Sequence, residues 1–360
     1  MNIHSARDSI FGFLGNIFSY KCKLSPAVQY HTWSVFIKPV LRSGLAALPI
    51  RPPVIKSLVT FHNKILRAIL KLSQFSPLAP LHFLLGALPI EASLHLDVLT
   101  LFWNIWVNPQ TKVHEVLKYL LKMSSESSLT WSAHVRILFL QYNLPDPLLL
   151  LDSTPWPKER WKLHTRVVVT SYHENLLRRK AASNCKLQFF NVQATGLSGR
   201  PHPVLAWVLT TQDVAIVRPH IKMLAGDYQC YAYLAFDRGT DPHCRMCHRV
   251  LWPSGDPAPA EDLVHLLTRC RATADTRDRI LPELLNAVAH SFPSNKLLNT
   301  SHDLLTQFIL DCSSLNLSVD TRVPPNHPSF TSITRQCSTL IYGIHMDRTR
   351  QLKAMGLLGK

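Results

Sequence analysis

Cys244 and Cys247 are separated by two residues, a spacing that lets two sulfurs reach one metal ion from a single turn of backbone. His265 follows after a 17-residue insert, and Cys270 follows after four more residues. Three thiolates and one imidazole form the four-ligand tetrahedral set that zinc takes in a closed, structural site. The sequence therefore predicts one structural Zn²⁺ held by these four side chains. Because no coordination position is left for water, we expect no metal catalysis at this site.

The predicted ligand set carries one geometric requirement. His265 and Cys270 are five positions apart, so on a regular α-helix their side chains would point about 140° apart. Both can bind one ion only if the helix that carries His265 ends or tightens before Cys270. Two alternatives stay open. Either His243 or His248, which flank the Cys-x2-Cys pair, could replace a ligand, or the cysteines could be ordinary buried thiols.

The elements that must position these ligands follow from local sequence signals. The insert holds one glycine and several prolines, so we expect a loop that returns the chain. Glu261 and Asp262 should then open a short helix that carries His265. Elsewhere, hydrophobic periodicity predicts helices over 54–72, 91–106, 111–123, 158–182 and 331–353, with further helices beginning near Trp131 and capped by Ser301. Since strand signals are few, the predicted fold class is mainly α.

The composition is that of a folded protein from a reducing compartment. The 360 residues are 46% apolar and 17% charged, which is typical of globular chains rather than disordered ones. The eight cysteines include only one tight pair, which favours a metal site over a disulfide framework. No signal peptide is evident, and the longest apolar stretch, 98–107, falls short of the roughly 20 residues that span a bilayer. We expect an intracellular protein of the nucleus or cytoplasm that does not enter membranes.

The chain is strongly basic. Lys and Arg number 39 against 23 Asp and Glu, which gives a formal net charge of +16. Most of the excess precedes residue 272: basic and acidic residues number 14 and 6 in 1–150, 16 and 10 in 151–271, and 9 and 7 in 272–360. A basic globular protein attracts phosphate polyanions and releases their counterions on binding. The alternative is a generically basic soluble protein, since charge alone is not specific.

Several segments resemble a known protein family. The stretch 221–270 contains Lys222–Met223–Leu224–Ala225–Gly226–Asp227–Tyr228, the Cys-x2-Cys pair, and then Glu261–Asp262–x–x–His265–Leu266–Leu267–x–x–Cys270. It resembles the C-terminal zinc region of non-LTR retrotransposon reverse transcriptases. Residues 30–48, 64–67 and 85–92 resemble the thumb and the segment after it in jockey-like and chicken-repeat-like elements, and 304–311 and 338–348 resemble the tail of such polyproteins. The resemblance covers most of the chain, and its zinc signature is its most specific part.

This resemblance implies a domain order. We expect a thumb-like helical region over 1–125, a helical connector over 126–235, a small Cys3His zinc-binding module over 236–292 and a helical C-terminal tail over 293–360. The family is an RNA-directed DNA polymerase, whose activity needs adjacent aspartates in a Tyr/Phe-x-Asp-Asp turn to hold metal ions. This sequence contains no Asp-Asp pair, no palm and no endonuclease motif. We therefore expect no enzymatic activity, with the palm and fingers of a longer polyprotein as a candidate partner.

The resemblance and the charge together indicate nucleic-acid contacts. In a polymerase thumb, a helix lies along the template–primer duplex, and its cationic side chains meet phosphates without reading bases. The candidates on the 54–72 helix are Lys64, Arg67 and Lys71, with a plain solvated face as the alternative. The candidates around the zinc site for RNA or DNA backbone are Arg245, Arg249, Arg269 and Arg271. Trp252 would either stack on a base or pack over the insert.

Three functions are consistent with these patterns. The first is a non-catalytic nucleic-acid-binding fragment of a retrotransposon reverse transcriptase. The second is a zinc-stabilised protein-interaction module of a host or domesticated protein. The third, an independent hydrolase, is disfavoured because neither a nucleophile–base pair nor an open metal site is suggested. Clustering of the basic side chains on one face would favour the first function over the second.

Overall fold

The computed structural model describes residues 23–49, 51–123, 129–193, 195–197, 199–249, 259–291, 301–313 and 328–358. Most of these residues are helical. Within these ranges there is no β-strand, and the β-type pairing found is an isolated antiparallel bridge between His243 and Ala260. The predicted mainly α fold is confirmed.

The helices follow one another along the chain with short connections. The α-helices up to residue 182 are α1 (Pro26–Thr32), α2 (Lys38–Arg42), α3 (Pro52–Leu70), α4 (Leu78–Leu85), α5 (Ile90–Trp106), α6 (Lys112–Met123), α7 (Trp131–Gln141), α8 (Pro147–Leu151) and α9 (Lys158–Ala182). Those that follow are α10 (Pro203–Ala206), α11 (Thr211–Leu224), α12 (Tyr231–Arg238), α13 (Arg245–Arg249), α14 (Ala274–Ser291), α15 (His302–Leu310) and α16 (Pro328–Ala354). Single turns of other types are the π-helical Trp33–Ile37 and His265–Arg269 and the 3₁₀-helical Leu45–Ala47, Cys185–Leu187 and Arg271–Thr273.

The two clearest amphipathic patterns form helices with buried apolar faces. The pattern predicted for 54–72 forms α3, whose buried apolar residues are Leu58, Ile65, Leu66, Ile69 and Leu70. The stripe predicted within 331–353 lies in α16, where the buried members are Ile333, Cys337, Leu340, Ile341 and Ile344. These faces are buried because apolar residues at helical spacing lie on one side of the helix. Cys337 is accordingly a core residue, as its position on the stripe predicts.

The turn after α4 depends on a glycine. Gly86 has a φ of +60°, and a Cβ at this position would lie 2.2 Å from the backbone oxygen of Arg200. The two chain segments are joined by backbone hydrogen bonds: the N–H of Gly199 donates to the carbonyl of Gly86 (2.9 Å), and the N–H of His202 donates to that of Leu84 (2.8 Å). Only glycine combines this left-handed backbone with so close an approach.

Two hydrophobic clusters contain most of the buried apolar residues. The larger cluster includes residues from all four predicted segments, among them Trp33, Val217, Leu266 and Ile341. The second cluster is rich in aromatic side chains, which are Phe102, Trp106, Phe139, Tyr142 and Trp161. The larger cluster therefore links the ligand-bearing segment to helices at both ends of the described chain. The boundaries between the four segments stay predictions.

Among the described residues, no individual helix has both the length and the apolar character of a membrane span. Only α4 and α5 taken as a pair, with a bend of 61° between them, reach that length and hydropathy together.

Buried histidines form a polar network between α5 and α9. The Nδ1 of His95 lies 2.6 Å from the hydroxyl of Tyr142, which lies 3.0 Å from Nε2 of His173. Burial lowers the pKa of His95 to about 3 and that of His173 to about 4, because a charged ring would lose its hydration. Burial likewise lowers the pKa of His82 and of His220 to about 4. These rings are therefore neutral in the folded protein near neutral pH.

We expect the free energy of unfolding to decrease as the pH falls from 6.5 towards 4. In this window the unfolded chain protonates its histidines near their ordinary pKa of 6.5, whereas the buried rings stay neutral until about pH 4. The unfolded state then binds more protons, so acid favours it. Each such histidine changes the unfolding free energy by up to about 1.4 kcal/mol per pH unit. Urea unfolding at a series of pH values between about 7.5 and about 5 measures this slope.

The double variant His95→Gln, His173→Gln carries no ring to protonate at these positions and should show a shallower pH dependence. His302 is exposed, so His302→Gln is the matched control and should keep the slope of the parent protein. An unfolding free energy that is constant over this pH range would contradict the neutral, buried state of these histidines.

Candidate metal centre

The structure brings the four predicted ligands together. One donor atom from each of Cys244, Cys247, His265 and Cys270 lies within 4.8 Å of the others, and all four side chains are buried. These residues come from two chain segments on either side of the insert, so the grouping is a property of the fold and not of one turn. The four side chains form a group that could hold a metal ion.

The spacing of the donor atoms fits a tetrahedral ion. With metal–sulfur bonds of about 2.3 Å and a metal–nitrogen bond of about 2.0 Å, tetrahedral ligands lie roughly 3.8 Å apart for two sulfurs and roughly 3.5 Å apart for sulfur and nitrogen. The Sγ of Cys270 lies 4.0 Å from that of Cys244 and 3.6 Å from that of Cys247. The Sγ of Cys247 lies 3.4 Å from Nε2 of His265. Since a disulfide would bring two sulfurs to about 2.05 Å, these thiols are unbonded neighbours.

A π-helical turn brings together the second ligand pair, His265 and Cys270, which are five positions apart. His265–Arg269 form this turn, and the N–H of Cys270 donates to the carbonyl of His265 at 2.7 Å. A hydrogen bond over five residues brings positions 265 and 270 to the same side of the chain. The helix ends there, because Cys270 has φ −62° and ψ 120°. The requirement that the helix end or tighten before Cys270 is met, because the helix ends there after a last turn that is wider than an α-turn.

The first ligand pair is held by the isolated bridge. The N–H of Cys244 donates to the carbonyl of Pro259 (2.9 Å), and the N–H of Glu261 donates to that of Pro242 (2.8 Å). These bonds pair the segment that ends at Cys244 with the last part of the insert, and they place α13, which begins directly after Cys244, beside the second ligand pair. The middle of the predicted returning loop, 250–258, lies outside the described residues.

The acidic residues before His265 have separate roles. Asp262 accepts the backbone N–H of His265 at Oδ1 (2.6 Å), so its carboxylate caps the ligand-bearing turn. The helix begins only after Asp262, and Glu261 is fully buried. The expectation that Glu261 opens the helix is therefore wrong. Its Oε1 accepts hydrogen bonds from Nη2 (2.5 Å) and Nε (3.1 Å) of Arg348 in α16.

Sequence reasoning missed the pairing of Glu261 with Arg348. The two residues are 87 positions apart, and no local signal joins them. Arg348 also donates to the carbonyl of Gln229 (2.9 Å), and its guanidinium lies 5.5 Å from the ring centre of Tyr228. The segment 261–270, which carries the ligands His265 and Cys270, is the metal-ligand loop. Arg348 attaches this loop to α16, the long C-terminal helix.

Proton sharing within the group shows why a cation would suit it. Hydrogen bonds to Cys247 and Cys270, together with burial, raise the pKa of the Cys244 thiol, and the same hydrogen bonding lowers the pKa of Cys247. Burial alone would lower the pKa of His265, but its hydrogen bonds to Cys247 and Cys270 and their charges raise it to about 9. Metal ions bind the deprotonated forms and displace such shared protons.

Of the two competing histidines, His243 does not join the group of four. His243 is half-buried, and its Nδ1 lies 2.5 Å from Oδ1 of Asp241, which also accepts the backbone N–H of His243 (3.0 Å). Its imidazole is therefore occupied by a local carboxylate. The side chain of His248 lies outside the described residues.

The predicted cations of α3 do not line one surface. Lys64 is exposed beside a largely apolar cavity of about 360 Å³ that Phe61 also lines, whereas Lys71 lines a different groove. Arg67 is half-buried, and its guanidinium donates to the carbonyl of Ser76 (3.0 Å). Burial lowers the pKa of Arg67, against the opposing effect of Asp227. The guanidinium of Arg67 is thus used in a hydrogen bond within the protein.

The predicted cations near the metal ligands are exposed where the structure describes them. Arg245 lies 3.1 Å from a carboxylate oxygen of Asp241 and 5.9 Å from the ring centre of Tyr231. Arg269 and Arg271 are exposed on either side of Cys270. The side chain of Arg249 and the whole of Trp252 lie outside the described residues.

Comparison with protein-family models, with curated proteins and with solved structures found no match to this chain. The resemblance to non-LTR retrotransposon reverse transcriptases therefore stays a prediction from sequence motifs. The geometry of the Cys3His group stands independently of that resemblance.

We expect the purified protein to hold one metal ion per chain, and we expect Cys270→Ser to lose it. The unfolding free energy of the variant should be lower than that of the parent protein by about 3 kcal/mol or more, because the buried metal site loses one of its four ligands. Elemental analysis and urea unfolding measure the two effects. Cys185→Ser is the matched control, since Cys185 is an exposed thiol outside the group. Metal content unchanged in Cys270→Ser would contradict the assignment of this ligand.

Proposed function

We propose that this chain is a non-catalytic nucleic-acid-binding part of a non-LTR retrotransposon reverse transcriptase, stabilised by a structural zinc ion. The observation that supports it most is the buried Cys3His group, with exposed arginines directly beside its ligands. The metal would fix the backbone, and the arginines would meet phosphates.

Zinc is the ion that this donor set favours. Three sulfurs and one imidazole nitrogen are soft and borderline donors, and the donor distances fit a tetrahedron. When bound, the ion would supply a fixed tetrahedral centre in place of the shared protons. Four protein ligands leave no position for water or substrate, so the proposed role is structural.

The nearby arginines connect this centre to nucleic acid. Arg245 follows Cys244, and Arg269 and Arg271 flank Cys270. The Cα atom of each arginine is therefore about 3.8 Å from the Cα atom of a ligand residue. A metal that fixes the ligands also fixes these backbone positions, which reduces the conformational entropy lost when the arginines meet a ligand. Arginine contacts to phosphate position a strand without reading its sequence. The formal net charge of +16 favours the same partner.

The sequence resemblance supports the family part of the proposal. The zinc signature spans Cys244 to Cys270, and the thumb-like and tail segments precede and follow it in the order expected of such polyproteins. The absence of an Asp-Asp pair in this sequence supports a binding role rather than polymerisation here. The palm and fingers of a longer polyprotein are the proposed protein partner.

A second function has its own observation. Helix α6 exposes an apolar stripe on one side, with Val113, Val116, Leu120 and Met123 all at least 41% exposed. An exposed stripe of this kind is typical of a protein-interaction surface. A zinc-stabilised protein-interaction module of a host or domesticated protein is therefore the alternative proposal.

We expect zinc to be the bound ion. Protein purified without added metal should contain about one zinc per chain, and exchange for Co²⁺ should give the visible absorption of a tetrahedral cobalt–thiolate site. The Cys270→Ser variant provides the baseline spectrum. A stoichiometric ion other than zinc, or an octahedral cobalt spectrum, would show that the zinc proposal is wrong.

We expect the protein to bind single-stranded RNA with an affinity that falls steeply with salt and depends little on base sequence. Replacing Arg245, Arg269 and Arg271 by Gln should weaken binding on the order of tenfold and reduce the slope of log affinity against log salt by about 2 to 3. Fluorescence anisotropy with labelled oligonucleotides over a salt series measures both quantities.

The matched control removes three charges elsewhere. Lys162, Arg166 and Arg179 are exposed on α9, and their replacement by Gln changes the net charge equally. If both triple variants lose the same affinity, the arginines beside the metal ligands have no special role. If the parent protein binds no RNA, the alternative function gains support.

A further inference from the structure

A groove of about 610 Å³ lies between three elements that are distant in sequence. Lys71 at the end of α3 forms one side, Arg218 and Lys222 of α11 form another, and His345 and Lys353 of α16 form the third. Its volume is within the range of roughly 300–1,000 Å³ that binding sites for small ligands occupy.

The groove is strongly basic. Its basic residues, apart from His345, are Lys71, Arg218, Lys222, Arg348 and Lys353. Within the described chain, Asp227 is the acidic residue that lines it. Both carboxylate oxygens of Asp227 accept hydrogen bonds from Ser73, one from its backbone N–H at 2.9 Å and the other from its hydroxyl. These neutral donors position the carboxylate and leave its charge in place. Since Arg348 pairs with Glu261, the other four cations face this one carboxylate, and the groove keeps an excess of positive charge.

The cations are placed close together although like charges repel. Arg218 and Lys222 are four positions apart on α11, a spacing at which two positive charges disfavour a helix. The field of this group acts on His345, whose pKa is lowered to about 4 by burial and further by Arg348 and Lys222. An anion bound in the groove would offset the repulsion that these residues otherwise exert on one another.

Part of the groove is preorganised by the metal-ligand loop. Arg348 is held by Glu261, and the hydroxyl of Tyr228 lies 3.0 Å from Nδ1 of His345. Lys222 is half-buried on one wall, and Lys353 is exposed on the opposite one. Arg348, Tyr228 and His345 are thus held in place, while the long side chains of Lys222 and Lys353 can adjust to a ligand.

We propose that this groove binds the phosphodiester backbone of a nucleic-acid strand. Cations on three separate walls fit an anion whose charges are spread along its length better than a single compact anion. Lysine meets phosphate as a point charge and tolerates different strand positions, which suits binding without sequence preference. The inference rests on the proposed function, because it assigns a second contact site to the same strand.

The test compares two double variants of the full chain. Lys222→Gln, Lys353→Gln should weaken binding of a labelled single-stranded RNA on the order of tenfold and reduce the salt slope by about 2. Lys162→Gln, Arg166→Gln on α9 removes the same charge from an exposed face and should change the affinity less than about twofold. Lys222→Arg, Lys353→Arg keeps the charges and should bind like the parent protein, which separates loss of charge from loss of fold.

The outcomes distinguish failure of the groove from failure of the proposed function. RNA binding that survives in Lys222→Gln, Lys353→Gln, or that falls equally in both Gln variants, overturns the groove and leaves nucleic-acid binding intact. If the parent protein binds neither single-stranded RNA nor single-stranded DNA, both the function and the groove are overturned. If inorganic phosphate or pyrophosphate binds the groove at micromolar concentration and RNA does not displace it, the site is for a free phosphate and the strand proposal is wrong.

Discussion

Three thiols and an imidazole are buried within one group, and the arrangement of the second half of the chain depends on how their charge is balanced. Buried polar groups are costly unless they find partners, and here the nearest partners are one another. Cys244, Cys247 and Cys270 belong to the same hydrophobic cluster as Leu266 and Leu267. A cation at this point would therefore stabilise a continuous core that reaches α16, and not merely a small independent finger. The four donor side chains are therefore part of the main core and not of a separate module.

The ion pair between Glu261 and Arg348 extends this constraint across the molecule. Glu261 is completely buried, and taking two charges out of water is favourable only when their geometry and remaining hydrogen bonds are good. Arg348 meets this condition through Oε1 of Glu261, through the carbonyl of Gln229 and through the rings of Tyr228 and Tyr231. On Glu261 the condition is met at Oε1, whereas Oε2 has no hydrogen-bond partner among the described residues. A pair of this kind adds little net stability over apolar packing but penalises every alternative register of α16. The ion pair thereby holds α16 against the metal-ligand loop. Since α16 forms one wall of the basic groove, that wall is held as well.

Local sequence patterns predicted much of this architecture and all four members of the Cys3His group. Helical periodicity predicted the amphipathic faces of α3 and α16, because the residues that one helix buries recur every three or four positions in the sequence. No bounds were predicted for helices α11 and α14, and each contains a proline, Pro219 or Pro282, a residue type that ordinarily interrupts a helix. The π-turn at 265–269 has no local signal in the sequence either. The pairing of Glu261 with Arg348 arises from tertiary packing, which spacing along the chain does not encode.

The basic residues show most clearly why a functional surface is harder to read than a core. Lys64, Arg67 and Lys71 share one helix pattern, yet Arg67 serves the carbonyl of Ser76, and the two lysines face different cavities. A core face repeats every three or four residues because one helix must bury it, whereas a surface that meets a polyanion needs only charges that are close in space. The groove gathers its cations from three elements, and no sequence pattern joins those elements: Lys71 at the end of α3, Arg218 and Lys222 in α11, and Arg348 and Lys353 in α16. Their juxtaposition follows from the packing of α11 against α16, and the ion pair between Glu261 and Arg348 joins α16 to the segment that carries His265 and Cys270.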